Sequence, residues 1–301
     1  MTVIVVGSAN LDTSVSVRRH PGPGETVLAD AREAGPGGKG LNQAVAASRA
    51  GAETRFIGAV GDDPAGHRLA AMLEDEGVQA GLARSRRATG TAFVMVSDGG
   101  ENAIVVVPGA NADGEAIGRE AREVIGSTAK AGDVVLAQLE VPLDTVLLAF
   151  SLAHERGAST VLNAAPSREL PSALLAETDV LVVNQHECLD LAGPDASSVD
   201  AAARALASRV GTVVVTRGES GAIVISGDED RHVPAFRVEA VDTTAAGDTF
   251  CGVLASRLAA GDALAVAVPF ASAAAALCVQ RPGAAASAPH LEEITGFLAA
   301  S

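Results

Sequence analysis

Asp242 and Asp248 stand six residues apart in the run Asp242-Thr243-Thr244-Ala245-Ala246-Gly247-Asp248-Thr249-Phe250, around a small turn that opens an apolar helix. The amides of Ala246, Gly247 and Asp248 are then unpaired first-turn donors of a helix running through Gly252 to Ala260, and with the helix dipole they suit a phosphate group. A carboxylate at that place repels phosphate unless it has a task of its own. The useful task is to take a proton from a hydroxyl that attacks phosphorus, which makes Asp248 a candidate general base. Taken alone, the run also reads as a plain helix start with an acid near its N-terminus.

Gly35-Pro36-Gly37-Gly38-Lys39-Gly40-Leu41-Asn42-Gln43 contains G-x-G-x-x-G, so a dinucleotide site is one reading. That fingerprint should directly follow the first strand of a βαβ unit, whereas the first strand here ends in Gly7-Ser8-Ala9-Asn10. The loop also fails as a Walker motif, because Gly40 rather than Ser or Thr follows Lys39. A small polar ligand fits its physics better: the glycines let backbone approach, Lys39 and Asn42 offer donors, and Asn10 and Asp12 offer acceptors. That palette suits a sugar, with a glycine turn before a helix as the alternative.

Asn184-Gln185-His186-Glu187 puts an amide and a carboxylate one helical turn apart. Such a pair can hold hydrated magnesium beside a nucleoside triphosphate, and equally forms a capping box. Thr216-Arg217-Gly218-Glu219-Ser220-Gly221 ends a strand with two glycines and two hydroxyls, suitable for nucleotide phosphates or for a plain hairpin.

Positioning these residues requires strands that end near one another. The β-branched runs at 3–6, 54–57, 134–137, 160–163, 180–183 and 213–216 read as buried parallel strands, with helices at 41–50, 66–75, 143–156 and 201–208. The alternation predicts an α/β fold: a doubly wound, mainly parallel sheet with helices on both faces and ligands beyond the carboxyl ends of the strands. Asn10, Asp12, Glu140, Asn184 and Thr216 all follow predicted strands. Segments 13–33 and 89–107 break the pattern and read as a small antiparallel β lid, with a hairpin turn at Ser97-Asp98-Gly99-Gly100-Glu101. The lid's apolar face makes it a candidate dimer surface. Residues 1–301 read as one domain with the lid segments inserted.

A net charge of −15 and the lack of basic runs argue against nucleic-acid and anionic-membrane partners. Lys39 is one of only two lysines, the other being Lys130, and it lies in the most glycine-rich segment. With no Tyr or Trp, stacking on large planar ligands is disfavoured. Cys188, Cys251 and Cys278 form no C-x-x-C pair, which suits a reducing compartment, and no signal-like or membrane-spanning stretch is visible. A soluble cytoplasmic protein is expected. The dispersed histidines show no metal-ligand spacing.

Together these pieces resemble the ribokinase family of carbohydrate kinases. The likeness is carried by Gly7-Ser8-Ala9-Asn10-Leu11-Asp12, Pro23-Gly24-Glu25-Thr26, Gly37 to Gln43 with the Ala-Val-Ala that follows, Gly58-Ala59-Val60-Gly61-Asp62-Asp63, Gln138-Leu139-Glu140, Asn163-Ala164-Ala165-Pro166 and the run from Asp242 to Phe250. It implies ATP-dependent phosphorylation of the 5-hydroxyl of D-ribose, with deoxyribose, fructose or a nucleoside as alternative substrates. A catalytically silent sugar-binding protein and an NAD-dependent oxidoreductase are more distant readings.

By resemblance, Asn10, Leu11, Asp12, Gly38, Lys39, Gly40, Leu41, Asn42 and Glu140 would hold the sugar, and Asp248 with Gly247 would serve catalysis. Asn184, Thr216, Arg217, Gly218, Glu219, Ser220, Gly221, Gly247, Asp248 and Ser272 would line the ATP site. Glu187 would bind magnesium through water. Potassium would sit among Asp242, Thr244, Cys278, Arg281, Gly283 and Ser287, and a homodimer through the lid is implied.

Overall fold

The computed structural model describes residues 1–301 apart from residues 100, 195 and 228 and the side chain of residue 102. Its strands are β1 (Thr2–Val6), β2 (Asn10–Val17), β3 (Ala31–Gly37), β4 (Glu53–Gly61), β5 (Gln79–Ser85), β6 (Thr91–Ser97), β7 (Asn102–Val107), β8 (Val134–Ala137), β9 (Ser159–Asn163), β10 (Val180–Asn184), β11 (Thr212–Thr216), β12 (Ala222–Ser226) and β13 (Glu229–Val233). The helices are α1 (Lys39–Arg49), α2 (Pro64–Asp75), α3 (Gly114–Thr128), α4 (Leu143–Glu155), α5 (Ser172–Ala176), α6 (Gln185–Ala192), α7 (Val199–Ala207), α8 (Ala246–Ala259), α9 (Leu264–Cys278) and α10 (Leu291–Ala300).

A nine-stranded sheet runs in the order β13-β12-β11-β10-β9-β8-β1-β4-β5. Its pairings are parallel from β5 to β11 and antiparallel at β12 and β13, where the Thr216–Gly221 turn closes a hairpin. Val3 and Val5 point into one core with α1, α8 and α9, whereas Ile4 and Val6 point into another with α3, α4 and α7. Apolar residues on both faces of β1 are what a strand covered on both sides requires. After β5 the chain crosses back to lay β8 against the other side of β1, so the strand order reverses there. The ends of β1 and β8 therefore flank the topological switch point, where ligands bind in such sheets.

The second sheet has the order β3-β2-β6-β7. Its outer pairs are antiparallel, as expected of the lid, but β2 and β6 pair in parallel. Both leave the same edge of the main sheet, after β1 and β5, so they travel in one direction. Residues 18–30 carry no strand, contrary to the strand-like reading of 13–33. Pro21 and Pro23 cannot donate to a ladder, and Gly24 takes φ 77° in the turn between them and β3. At the predicted hairpin turn over 97–101 the strands β6 and β7 pair antiparallel and the Ser97 amide donates to the Glu101 carbonyl at 3.0 Å, while Gly100 lies outside the described residues. No helix of the described residues is long and apolar enough to cross a membrane.

Candidate active site

Ala245, the N-cap of α8, is the only non-glycine residue with positive φ (58°) among the described residues. This left-handed kink folds the Ala246 amide back onto the Thr243 carbonyl at 3.3 Å, so the amide is not free for an anion as the sequence suggested. The Gly247 and Asp248 amides find no backbone acceptor among the described residues and remain as the donors at the helix start.

The Asp248 carboxylate is buried against α1. Its Oδ2 accepts from Asn42 Nδ2 at 2.9 Å and its Oδ1 from Gln43 Nε2 at 3.1 Å. Burial pushes its pKa up and the Glu140 charge adds to this, while the Lys39 ammonium and the two amide donors oppose the rise. For Lys39, burial favours the neutral amine, but the carboxylates of Asp248, Glu140 and Glu187 outweigh it and hold the pKa above its ordinary value. A cation kept charged beside a carboxylate of raised proton affinity is the pairing expected where a proton and a phosphate are handled together.

On the β1 side, Glu140 Oε2 accepts from Ser8 Oγ at 2.5 Å and from the Lys39 amide at 2.9 Å. Gly40 allows this closeness, since a Cβ there would lie 2.6 Å from the Ser8 nitrogen. Asn10 Oδ1 accepts from Asn111 Nδ2 at 2.7 Å, and Asp12 Oδ1 accepts from the Ala92 amide at 2.7 Å. Burial raises the Asp12 pKa to about 6, opposed by the Ala92 amide and reinforced by Glu140. Gly38 caps α1 and leads Lys39 into the site. Leu11 is half-buried opposite Pro36 in the lid sheet. Leu41 belongs to the core, and its amide is used by the Ser8 carbonyl, so it offers a ligand neither side chain nor donor.

On the far side of Gly247 lies a cavity of about 850 Å³, lined by Thr216, Gly218, Glu219, Ser220, Gly221, the 235–238 segment, Phe250 and Ser272. It shares Thr216, Thr243 and Gly247 with a narrower cavity of about 220 Å³ that reaches Lys39, Asn184, Glu187 and Asp248. One cleft thus leads from a chamber of nucleotide size to the buried carboxylate. Asn184 and Glu187 form the capping box of α6, each donating its amide to the other's side chain at 2.8 Å. Glu187 lines the narrower cavity, and among the described residues its Oε1 has no hydrogen-bond partner. Burial raises the Glu187 pKa against the Asn184 amide and Lys39. Arg217 is not brought to the cleft, because its guanidinium pairs with Asp200 on α7.

The segments around Asp242 and Gly283 converge as expected. Asp242 accepts from the Thr244 amide and the Gly283 amide, both at 2.9 Å, and these bonds hold its pKa below the ordinary range although burial pushes the other way. Cys278 Sγ contacts Ser287 Oγ at 3.1 Å and Thr249 Oγ1 at 3.3 Å. The Arg281 side chain turns away to Glu293 on α10.

Sequence reasoning gave no role to Gln43, Gln138, Asn163, Asn111, Gly252 or the 235–238 segment. For Gln138 and Asn163 a signal was present: each is an amide at the carboxyl end of a buried apolar strand, where a polar side chain must find a partner.

The chain matches the pfkB family carbohydrate kinase model over residues 2–291. It is 37% identical over 302 residues to a ribokinase of Staphylococcus aureus (strain COL), covering 97% of this chain and 98% of that protein. A ribokinase structure from Thermotoga maritima superposes with a TM-score of 0.91 at 34% identity, over 99% of both chains. Arabidopsis thaliana ribokinase complexed with ribose and ATP superposes at 0.85 and 31% identity, over 98% of both chains. With a buried carboxylate at the switch point and a nucleotide-sized cleft leading to it, the chain belongs to the pfkB family of carbohydrate kinases.

Proposed function

We propose that this protein transfers the γ-phosphoryl group of ATP to the 5-hydroxyl of D-ribose. One observation carries the reading: Lys39 and Asn42 at the start of α1 and the donor turn at Gly247 meet at the buried carboxylate of Asp248, with the Glu140 charge acting on both Asp248 and Asp12. The near full-length likeness to ribokinases supports ribose as the sugar. Asp248 accepts the hydroxyl proton as the sugar oxygen bonds to the γ-phosphorus, and the bond to the β,γ-bridging oxygen breaks to release ADP. The Gly247 and Asp248 amides and the Lys39 ammonium balance charge on the transferring group.

Magnesium fits beside the narrow cavity, where Glu187 Oε1 would bind it through water. Among the described residues no cluster of three acidic, His or Cys side chains forms a ready cage, so phosphate and water oxygens would supply the other ligands. Bound there, it would neutralise charge on the β- and γ-phosphates. Potassium fits the oxygen-rich Asp242–Thr244 and Cys278–Ser287 loops, already tied together by Asp242, and would stiffen the turn preceding Gly247. A homodimer through the lid is supported by the exposed Phe93, Val105 and Val107. We read residues 1–301 as one kinase domain working in the cytoplasm.

ADP release over ribose, deoxyribose, fructose and nucleosides tests the assignment. Ribose should give the highest kcat/KM. Turnover confined to a nucleoside would reject ribose while leaving the kinase reading intact.

A further inference from the structure

We infer that Gln43 is a positioning residue for the phosphoryl transfer, oriented by Gln138 so that it presents an amide hydrogen to Asp248. The inference rests on the reading of Asp248 as the base. Gln43 is fully buried on α1, and its Nε2 donates to Asp248 Oδ1 at 3.1 Å and to Asn163 Oδ1 at 3.0 Å. Its Oε1 accepts from Gln138 Nε2 at 2.9 Å, and Gln138 is itself fully buried. The two amide hydrogens and the carbonyl of Gln43 are therefore all assigned.

The polarity of this ladder is dictated by its end. An ionised carboxylate only accepts, so a rotated Gln43 would set its carbonyl against Asp248 and its NH₂ against the Gln138 NH₂. Gln138 holds the Gln43 side-chain carbonyl through its Nε2, its own Oε1 being buried without a partner among the described residues, and it has room because Gly7 lacks a side chain: a Cβ there would lie 2.1 Å from Gln138 Oε1. Asn42, the other donor to Asp248, has a buried Oδ1 with no partner among the described residues and is expected to share itself with the sugar. Gln43 has no such second task, being enclosed by Asn163 and Gln138.

The consequence is a fixed carboxylate plane and a base kept ionised. Charged and titratable groups facing Asp248 are Lys39 on α1, Glu140 after β8 and Cys251 on α8, with Glu187 on α6 facing Lys39. Of these only Lys39 favours the carboxylate. The neutral donors of Asn42 and Gln43 supply the remaining support, so losing Gln43 moves Asp248 toward its protonated, non-basic form.

The test is kcat and KM against pH for the full chain carrying Gln43→Met or Gln138→Met, with Asp248→Asn as control. Gln43→Met should lower kcat at neutral pH roughly ten- to a hundred-fold and move its acid limb upward by about one pH unit, the scale of one lost hydrogen bond to a charged group. KM for ATP should stay within about two-fold, since the ladder lies off the nucleotide cleft. Gln138→Met should move the limb the same way by less. An acid limb unmoved in both variants, whether kcat is unchanged or falls uniformly, overturns the inference. If Gln43→Met does not fold, Gln138→Met decides by the same criterion. Activity retained by Asp248→Asn would overturn the base reading itself. An inactive Asp248→Asn with an unmoved limb in the glutamine variants would overturn only the role of Gln43.

Discussion

Gly252 of α8 stands directly against Gln43 of α1: a Cβ on Gly252 would lie 2.3 Å from the Gln43 carbonyl oxygen and 2.8 Å from the Ala46 Cβ. Gly252 lies one helical turn beyond Asp248 on the same face, so the closeness of the two helices at this point brings the carboxylate within reach of Asn42 and Gln43. Gly252→Ala must push backbone from backbone. We expect a destabilisation of about 1–3 kcal/mol by denaturant titration, together with a loss of kcat larger than any change in KM for ATP. Unaltered kcat would mean that the helix spacing does not set the base.

Asp12 should impose an acid limb on the sugar's kcat/KM. Its carboxyl is pushed from 3.8 up to about 6 by burial, against the Ala92 amide and with Glu140. Below about pH 6 it is protonated in the free enzyme and loses its charge-assisted acceptance of a sugar hydroxyl, so kcat/KM falls. For stability the sign is opposite to that of a paired acid. The folded state favours the protonated form, so this contribution is present below about 3.8 and lost as the pH rises through about 6. Asp12→Asn should remove both dependences in pH-rate and pH-melting profiles, and a pH-rate profile with its limb unmoved would place the titration elsewhere.

Asp242 should govern the response to monovalent cations. It ties the Thr244 and Gly283 amides together, joining the two loops that frame the proposed potassium site. Potassium should raise turnover over sodium in the parent protein, and Asp242→Ala should blunt that difference and raise KM for ATP. Equal parent rates in the two salts would remove potassium from the account.

The lid should hold two copies together. Phe93 and Val105 are paired across β6 and β7 on one face, 50% and 58% exposed, too much apolar surface for a solvated sheet. Val105→Asp should convert a dimer to a monomer by sedimentation. A monomeric parent protein would contradict the assembly.

What was legible in the sequence was the edge of the sheet. Asn10, Asp12, Glu140, Asn184 and Thr216 could be found because each ends or soon follows a buried apolar strand of the main sheet, and in a doubly wound sheet the carboxyl ends of the strands share one side. The glycine loop could be found because Gly38 and Gly40 mark a close backbone approach, now seen against Ser8. The capping and metal-holding readings of Asn184 and Glu187 competed in the sequence, whereas the fold forms the cap with Glu187 still lining the cavity. Features decided by distant partners were not legible. The turn that consumes the Ala246 amide depends on a left-handed alanine, and Arg217 is drawn off by an acid on another helix. Gln43, Gln138 and Gly252 look like ordinary residues until α1, β8 and α8 are brought together.

The most direct test of the account is the turnover of Asp248→Asn with ribose and ATP, measured as ADP release alongside ribose binding by calorimetry. Asparagine keeps the shape but cannot take the hydroxyl proton. The account predicts a kcat lower by roughly 10²–10⁴-fold with ribose still bound. Turnover near that of the parent protein would contradict it.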